Sequence, residues 1–357
     1  MSELTHVWPQ AVGWMTDHAV LPLLTALHAQ AAHREAREIA EALLIAALQV
    51  AIIAGIFRPL ESVAPAEPWA DRKLTAVDRL ATLLMVFGLL PLFSFLVLLP
   101  VGSLFAGGDT AISGGLKHWF PWLEQHPYVA FAIYYVIYDL TYYWMHRGQH
   151  AIPWWWALHS MHHSQRQMSC WANDRGSYLD AILQGLILAS VGLVLGVEPS
   201  EFAWLSLTAE LVQSFSHANV RIGFGPVLER LFVDPRFHRL HHMRVDPARP
   251  GLHDCNFGQV LPVWDMLFRT ALYGETVRPT GVADPTVDAD NGRGLLALQW
   301  WTLKRFWGAV RRPAGWVPHE VSFGPNFEPV PVAHDAAHGV QAGPVGSAAE
   351  GHSASLK

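Results

Sequence analysis

The chain has 357 residues, 51% of them hydrophobic and only 15% charged, where an ordinary soluble domain carries about a quarter charged residues. A formal charge of -6 gives no basic footprint for nucleic acid. Two cysteines, Cys170 and Cys255, exclude a disulfide framework and a cysteine-based zinc module.

In chain order, Met1–Gln10 lacks the positive start and short apolar core of a cleaved signal peptide. Five apolar runs then approach the length of helix, about 20 residues, that crosses a bilayer core. They are Ile39–Phe57, Val77–Leu99, Tyr128–Trp144, Tyr178–Val197 and Ser200–Val220. Pro91 predicts a bend in the second, because proline removes a backbone donor. The turn at Glu198-Pro199-Ser200 makes the last two a helical hairpin. Loop charge orients the set: Arg58, Arg72, Lys73 and Arg79 lie between the first two spans, against Lys117 alone in Pro100–Pro127. The positive-inside rule therefore puts the N-terminus outside and the ends of spans three and five in the cytoplasm.

Beyond the spans, Gly294–Arg312 interleaves Leu295, Leu296, Leu298, Trp301, Phe306 and Trp307 with Lys304, Arg305, Arg311 and Arg312. It reads as a helix lying in the membrane interface or packed on the cytosolic part. From Gly315 the chain is rich in Pro, Gly, Ala and Ser and reads as a disordered tail, its His334, His338 and His352 solvated. The fold class is thus an all-α integral membrane protein of about five transmembrane helices with a cytosolic histidine-rich cap. Its divisions are 1–127 with two spans, 128–275 with the metal-binding domain, 276–314 with the interfacial helix, and 315–357 as tail.

Histidine is one excess among the residues, at 20, and tryptophan, at 16, is the other. Tryptophan favours the lipid headgroup level, and histidine is the commonest metal ligand. Nine histidines fall in four places: His146 and His150; His159, His162 and His163; His217; and His238, His241 and His242. Residues at i, i+3 and i+4 share a helix face, so each His-x-x-His-His triplet can present three imidazoles to one point. Nine ligands overfill one ion and fit two, and all lie on the predicted cytoplasmic face. Imidazole alone leaves iron, zinc, copper and nickel open. A carboxylate-bridged bundle needs paired Glu-x-x-His motifs, and only Glu3–His6 has that spacing. A metal transporter would carry its ligands within the spans, near mid-membrane.

These residues also resemble a family. Asp139-x-x-x-Tyr143-Trp144-x-His146-Arg147-x-x-His150 and Trp156-x-x-His159-x-x-His162-His163-Ser164 resemble the fatty acid hydroxylase superfamily, in particular its sterol desaturase-like branch. Phe215-Ser216-His217-Ala218-Asn219, His238-Arg239-Leu240-His241-His242, Asp254-Cys255-Asn256-Phe257-Gly258 and Trp264-Asp265-x-x-Phe268-Arg269-Thr270 follow in the same order. The likeness covers Tyr128 to Thr270. It implies a membrane-embedded helical core under a cytosolic di-iron centre, held by the nine histidines, that hydroxylates or desaturates lipids with O2. Some members have a further histidine where this chain has Gln213, so water or Gln213 fills that position.

Around the ligands, Asp139 shares a helix face with His146 and is expected to accept an imidazole N–H, since a carboxylate within a span is costly and usually functional. Glu210 and Gln213 share the face of His217. Asn219, Asp254 and Asn256 either support the ligands or cap helices and turns. Trp154, Trp155 and Trp156 mark the interface, and Arg147, Arg175 and Arg239 pair with acidic groups or lipid phosphate. No haem or flavin motif is present, so electrons are expected from a separate ferredoxin or cytochrome b5-type carrier. The expected cofactors are two iron ions, with zinc an alternative occupant of purified protein and of a non-catalytic lipid-binding relative. The lipid is expected to arrive sideways from the bilayer, and the alanine-rich composition points to a bacterial inner membrane.

Overall fold

The computed structural model describes residues 4–70, 72, 75–93, 115–197, 199–245, 252, 254–277, 279–311, 321–323 and 329–331. The far end of the second expected span, the loop after it as far as 114, and most of the tail lie outside them. The helices are α1 (Leu4–Met15), α2 (Leu21–Ala26), α3 (Ala36–Ile52), α4 (Arg58–Val63), α5 (Thr75–Leu84), α6 (Leu90–Phe93), α7 (Gly115–Trp119) and α8 (Pro127–Ala151). After these come α9 (Pro153–His163), α10 (Tyr178–Leu195), α11 (Pro199–Ser216), α12 (Gly225–Leu228), α13 (Pro235–His241), α14 (Val263–Leu267), α15 (Pro285–Ala289) and α16 (Leu295–Arg311). Within the tail, where the sequence predicts no regular structure, β1 (Val321–Phe323) pairs antiparallel with β2 (Pro329–Pro331).

Three π-turns, Thr16–Val20, Ile53–Phe57 and Met85–Leu89, join α1 to α2, α3 to α4 and α5 to α6. Each ends two residues before a proline: Pro22, Pro59 and Pro91. Proline lacks an N–H and its ring crowds the carbonyl four residues back. In all three places that carbonyl, on His18, Gly55 or Phe87, lies inside the widened turn, and the residue before proline bonds five residues back, as Leu90 N does to Met85 O. The chain therefore absorbs each proline without ending the helix. That is why the first apolar helix runs from Ala36 to Val63, past the predicted stop at Phe57. It is also why residues 4–26 form an unforeseen N-terminal helical segment, packed through Val12 and Val20 on Ala36 and Ala40.

Among the described residues, three helices are long and apolar enough to cross a membrane: Ala36–Val63, Thr75–Phe93 and Tyr178–Leu195. The other two expected spans are helical as α8 and α11, but tyrosines and Asp139 in the first, and Glu201 and Glu210 in the second, dilute them. Length and composition alone thus mark three of the five expected runs. Gly196, at φ 72°, ends α10, and Val197 N bonds back to Gly192 O at 2.9 Å, capping the helix; Glu198, in the predicted hairpin turn, lies outside the described residues.

The main core joins α8, α9, α10 and α11 through Tyr134, Tyr138, Trp155, Leu158, Leu188 and Leu205. α16 lies against α9 and α5, with Leu295 and Leu298 beside Met161 and Ala81, while Leu296, Trp300 and Trp307 on its other side stay exposed. Arg175, buried, donates to Asp78 Oδ1 at 3.0 Å and to Asn291 Oδ1, tying α5, the loop after α9 and the approach to α16 together. This rigid frame holds the ends of α8 and α9 against α13.

Candidate metal centre

All nine histidines singled out by spacing are buried and converge. His146, His150, His159, His163 and His241 form one group; His162, His217, His238 and His242 form a second. Within each group the candidate ligand atoms lie within 4.8 Å of one another. The groups adjoin, with the rings of His163 and His242 stacked at 4.3 Å.

The expectation that each triplet serves one point is corrected. His159 and His163 join the first group and His162 the second, whereas His238 and His242 join the second and His241 the first. On a helix of 3.6 residues per turn, positions i+3 and i+4 lie about 100° apart, on opposite sides of i. The four-apart pair therefore faces one centre and the middle histidine the other, so each triplet bridges both.

The rings are held from behind. His146 Nδ1 donates to Phe257 O at 2.9 Å, His217 Nδ1 to Gln213 O at 2.7 Å and His241 Nδ1 to Cys255 O at 2.7 Å. His150 Nδ1 donates to Asp254 Oδ1 and His159 Nδ1 to Asp180 Oδ2, both at 3.0 Å. Carbonyl and carboxylate oxygens only accept, so in these five rings the proton is on Nδ1 and the Nε2 lone pair faces the group. Buried Nε2 atoms of His146, His159 and His241 have no hydrogen-bond partner among the described residues. His150 and His163 bring their Nε2 atoms within 3.0 Å, and His238 and His217 do the same. Burial pushes His162, His163, His238, His241 and His242 well below the usual imidazole range, keeping them neutral. Crowded neutral imidazoles, three of them with buried Nε2 lone pairs that meet no donor among the described residues, fit cations. Burial raises the Cys255 thiol to about 12, so it remains protonated and outside both groups.

The non-histidine motif residues shape this support. Asp265 accepts from Phe257 N at 2.8 Å and Gly258 N at 2.7 Å, fixing the carbonyl that holds His146. Asn256, at φ 58°, donates to Phe237 O and receives Leu272 N at 2.7 Å, between the two carbonyls that hold His241 and His146. Asp254 reaches His150 as described. Asn219 lies farther back: it donates to Glu67 O at 2.9 Å, and its backbone N–H donates to buried Glu61 at 2.9 Å. Gln213 supports His217 by its backbone carbonyl, while its side-chain amide donates to Gln259 O at 2.8 Å. Glu210 Oε2 accepts from Asn173 at 2.6 Å.

Asp139 departs from expectation. Its carboxylate accepts from Val260 N, Leu261 N and Trp264 Nε1 at 2.9–3.1 Å, and from no imidazole among its described contacts. Two adjacent backbone amides and an indole engage both of its oxygens. The carboxylate that orients an imidazole from within an apolar run is instead Asp180, which also takes Gln149 and Trp155 at 2.8 Å. Its position at the start of the fourth apolar run was the available signal. The carbonyls of Phe257 and Cys255 had none, since any residue supplies one.

A family model described as fatty acid hydroxylase matches residues 131–270. This stretch is a fatty acid hydroxylase domain. Among curated relatives, ornithine lipid hydroxylase OlsE of Rhizobium tropici is 29% identical over 49% of this chain and 51% of its own length. Human alkylglycerol monooxygenase is 27% identical over 53% of this chain and 43% of its own. Fatty acid hydroxylase vlmA of Lecanicillium sp is 25% identical over 43% of each. The matched region thus spans about half, or less, of each relative's length. No solved structure matches the chain. The domain ends at the motif Trp264–Thr270 and so contains every histidine of both groups.

Proposed function

We propose that this protein is a membrane-bound oxygenase that inserts oxygen into, or desaturates, a lipid C–H bond, using O2 and electrons from a separate carrier at a di-iron centre. The observation that carries the reading is the pair of adjoining all-imidazole groups, five and four, buried inside a fatty acid hydroxylase domain. Relatives named for hydroxylation of ornithine lipid and oxygenation of alkylglycerol support a lipid substrate. Two irons bound there would supply oxygen activation.

The chain's own part is orientation and exclusion. Asp180, Asp254 and the carbonyls of Phe257, Cys255 and Gln213 fix the ring planes, and supports of this kind are conventionally worth about 10–100-fold in metal affinity or activity. Burial of every ring keeps bulk water away. α8 and α11 are the two further spans, giving five in all, with the histidines on the cytoplasmic side of a bacterial inner membrane. The substrate reaches the centre from the bilayer, which spares an aqueous route the cost of desolvating an acyl chain. A transporter needs its ligands mid-membrane, whereas here they gather at helix ends and in α9 and α13.

The test is expression in a host lacking the gene, under 18O2, with comparative lipidomics. A lipid heavier by one labelled oxygen, or lighter by two hydrogens, is expected, and is lost in H162A and H241A. Purified protein that carries zinc, binds lipid and consumes no O2 with any reductant would replace this reading with the non-catalytic one.

A further inference from the structure

The geometry points to a second membrane contact: the cap dips two short apolar segments, residues 225–232 and 260–268, into the cytoplasmic leaflet beside α8. The inference rests on the reading of α8 as a spanning helix. Asp139 stands five residues before Trp144, which is about 8 Å along the helix axis. Because Asp139 binds the amides of Val260 and Leu261 and the Trp264 indole, the loop 260–264 runs alongside the helix below its cytoplasmic end. Irregular backbone is tolerated at that depth only where protein groups satisfy it, and a buried carboxylate with three donors does so.

From there the chain climbs α8, with the Phe268 ring 4.8 Å from Trp144 and stacked on Tyr143 at 5.3 Å. The segment 225–232 joins it through Val233 N to Val260 O at 2.9 Å and Tyr273 Oη to Glu229 O at 3.5 Å. Together they expose Val227, Leu228, Leu231, Phe232, Val263 and Leu267, the first at 70% and the last at 63%. Water alone would oppose six exposed aliphatic and aromatic side chains on two adjoining segments, and such patches mark contact surfaces. The rim carries three arginines: Arg230, paired with Glu229 at 3.2 Å, lies 4.9 Å from the Tyr273 ring, Arg147 lies 5.3 Å from the Trp144 ring, and Arg269 is exposed beside Phe268. Apolar tips under arginines match the acyl edge and anionic phosphates of a leaflet. The occupant is therefore the bilayer rather than a protein.

The test uses full-length protein in phosphatidylcholine–phosphatidylglycerol vesicles. Single cysteines at Leu231, Leu267, Val136 and Pro285 are labelled in turn with an environment-sensitive fluorophore; both native cysteines are buried. Val136 reports on the exposed flank of α8 and Pro285 on the exposed start of α15, outside the patch. Lipid-borne nitroxide, near the headgroup for Leu231 and Leu267 and on the acyl chain for Val136, is expected to quench these probes, and aqueous iodide to reach Leu231 and Leu267 about threefold less than the Pro285 probe. Iodide access equal to that at Pro285 overturns the inference, and so does protection from both quenchers, which would mean a covering protein. If Leu231 and Leu267 fail while Val136 is lipid-quenched, the inference falls alone. If Val136 fails too, the spanning reading of α8 falls with it.

Discussion

Asp180 carries more of the site than its lone position in an apolar run suggests. One oxygen takes the Nδ1 proton of His159 while the other takes Gln149 and Trp155, so a single carboxylate sets a ring plane and ties α8 and α9 to α10. D180N keeps the shape but turns an acceptor into a donor facing other donors. Bound metal or turnover is expected to fall about 10–100-fold, measured by metal analysis and by product formation; unchanged values would mean that His159 needs no such partner. The histidines also set a pH limit. Burial depresses His162, His163, His238, His241 and His242 in the folded chain, so these rings stay unprotonated where the unfolded chain binds protons, at about pH 6.5. The unfolded state then holds more protons, and stability is retained above that pH and lost as pH falls below it. Thermal melts of metal-free protein between pH 8 and about 5.5 should show a falling midpoint; a flat profile would contradict the burial of neutral rings.

At the scale of elements, short turns do as much as helices. Gly258 shows why its motif needs glycine: a Cβ there would meet Asp265 Oδ2 at 2.9 Å and Leu261 O at 3.0 Å. G258A should loosen the turn that presents Phe257 O to His146, lowering metal content with a loss of about 1–3 kcal/mol in stability. The check is denaturation together with metal analysis, and full occupancy would remove Gly258 from the account. Likewise R175M would strand the buried carboxylate of Asp78, at a cost of about 3–5 kcal/mol, read as a lower unfolding midpoint. The nine histidines were legible because i, i+3 and i+4 spacing is local and carries its own geometry. Their division into five and four was not, since it depends on where α9 and α13 meet. The first apolar run was ended at Phe57 for a related reason: the π-turn Ile53–Phe57 carries the helix past Pro59, and nothing in a proline announces it.

For the whole molecule, length and composition alone mark three of the apolar runs as spans, because tyrosines and Asp139 dilute α8, and Glu201 and Glu210 dilute α11. Asp139 was recognised as unusual on sound grounds, and its partners proved to be a loop 121 residues and more away, beyond the reach of helical periodicity. The N-terminal segment of residues 4–26 and the docking of α16 on α9 likewise depend on contacts distant in sequence. The proposed architecture stands on two adjoining cation sites that share both His-x-x-His-His triplets. Metal stoichiometry of anaerobically iron-loaded protein tests this most directly, in the wild type and in H146A and H217A, which each touch one group alone. Two irons per chain are predicted for the wild type and about one for each variant. A single iron in the wild type, or loss of both from either variant with the fold intact, would contradict two separately held ions.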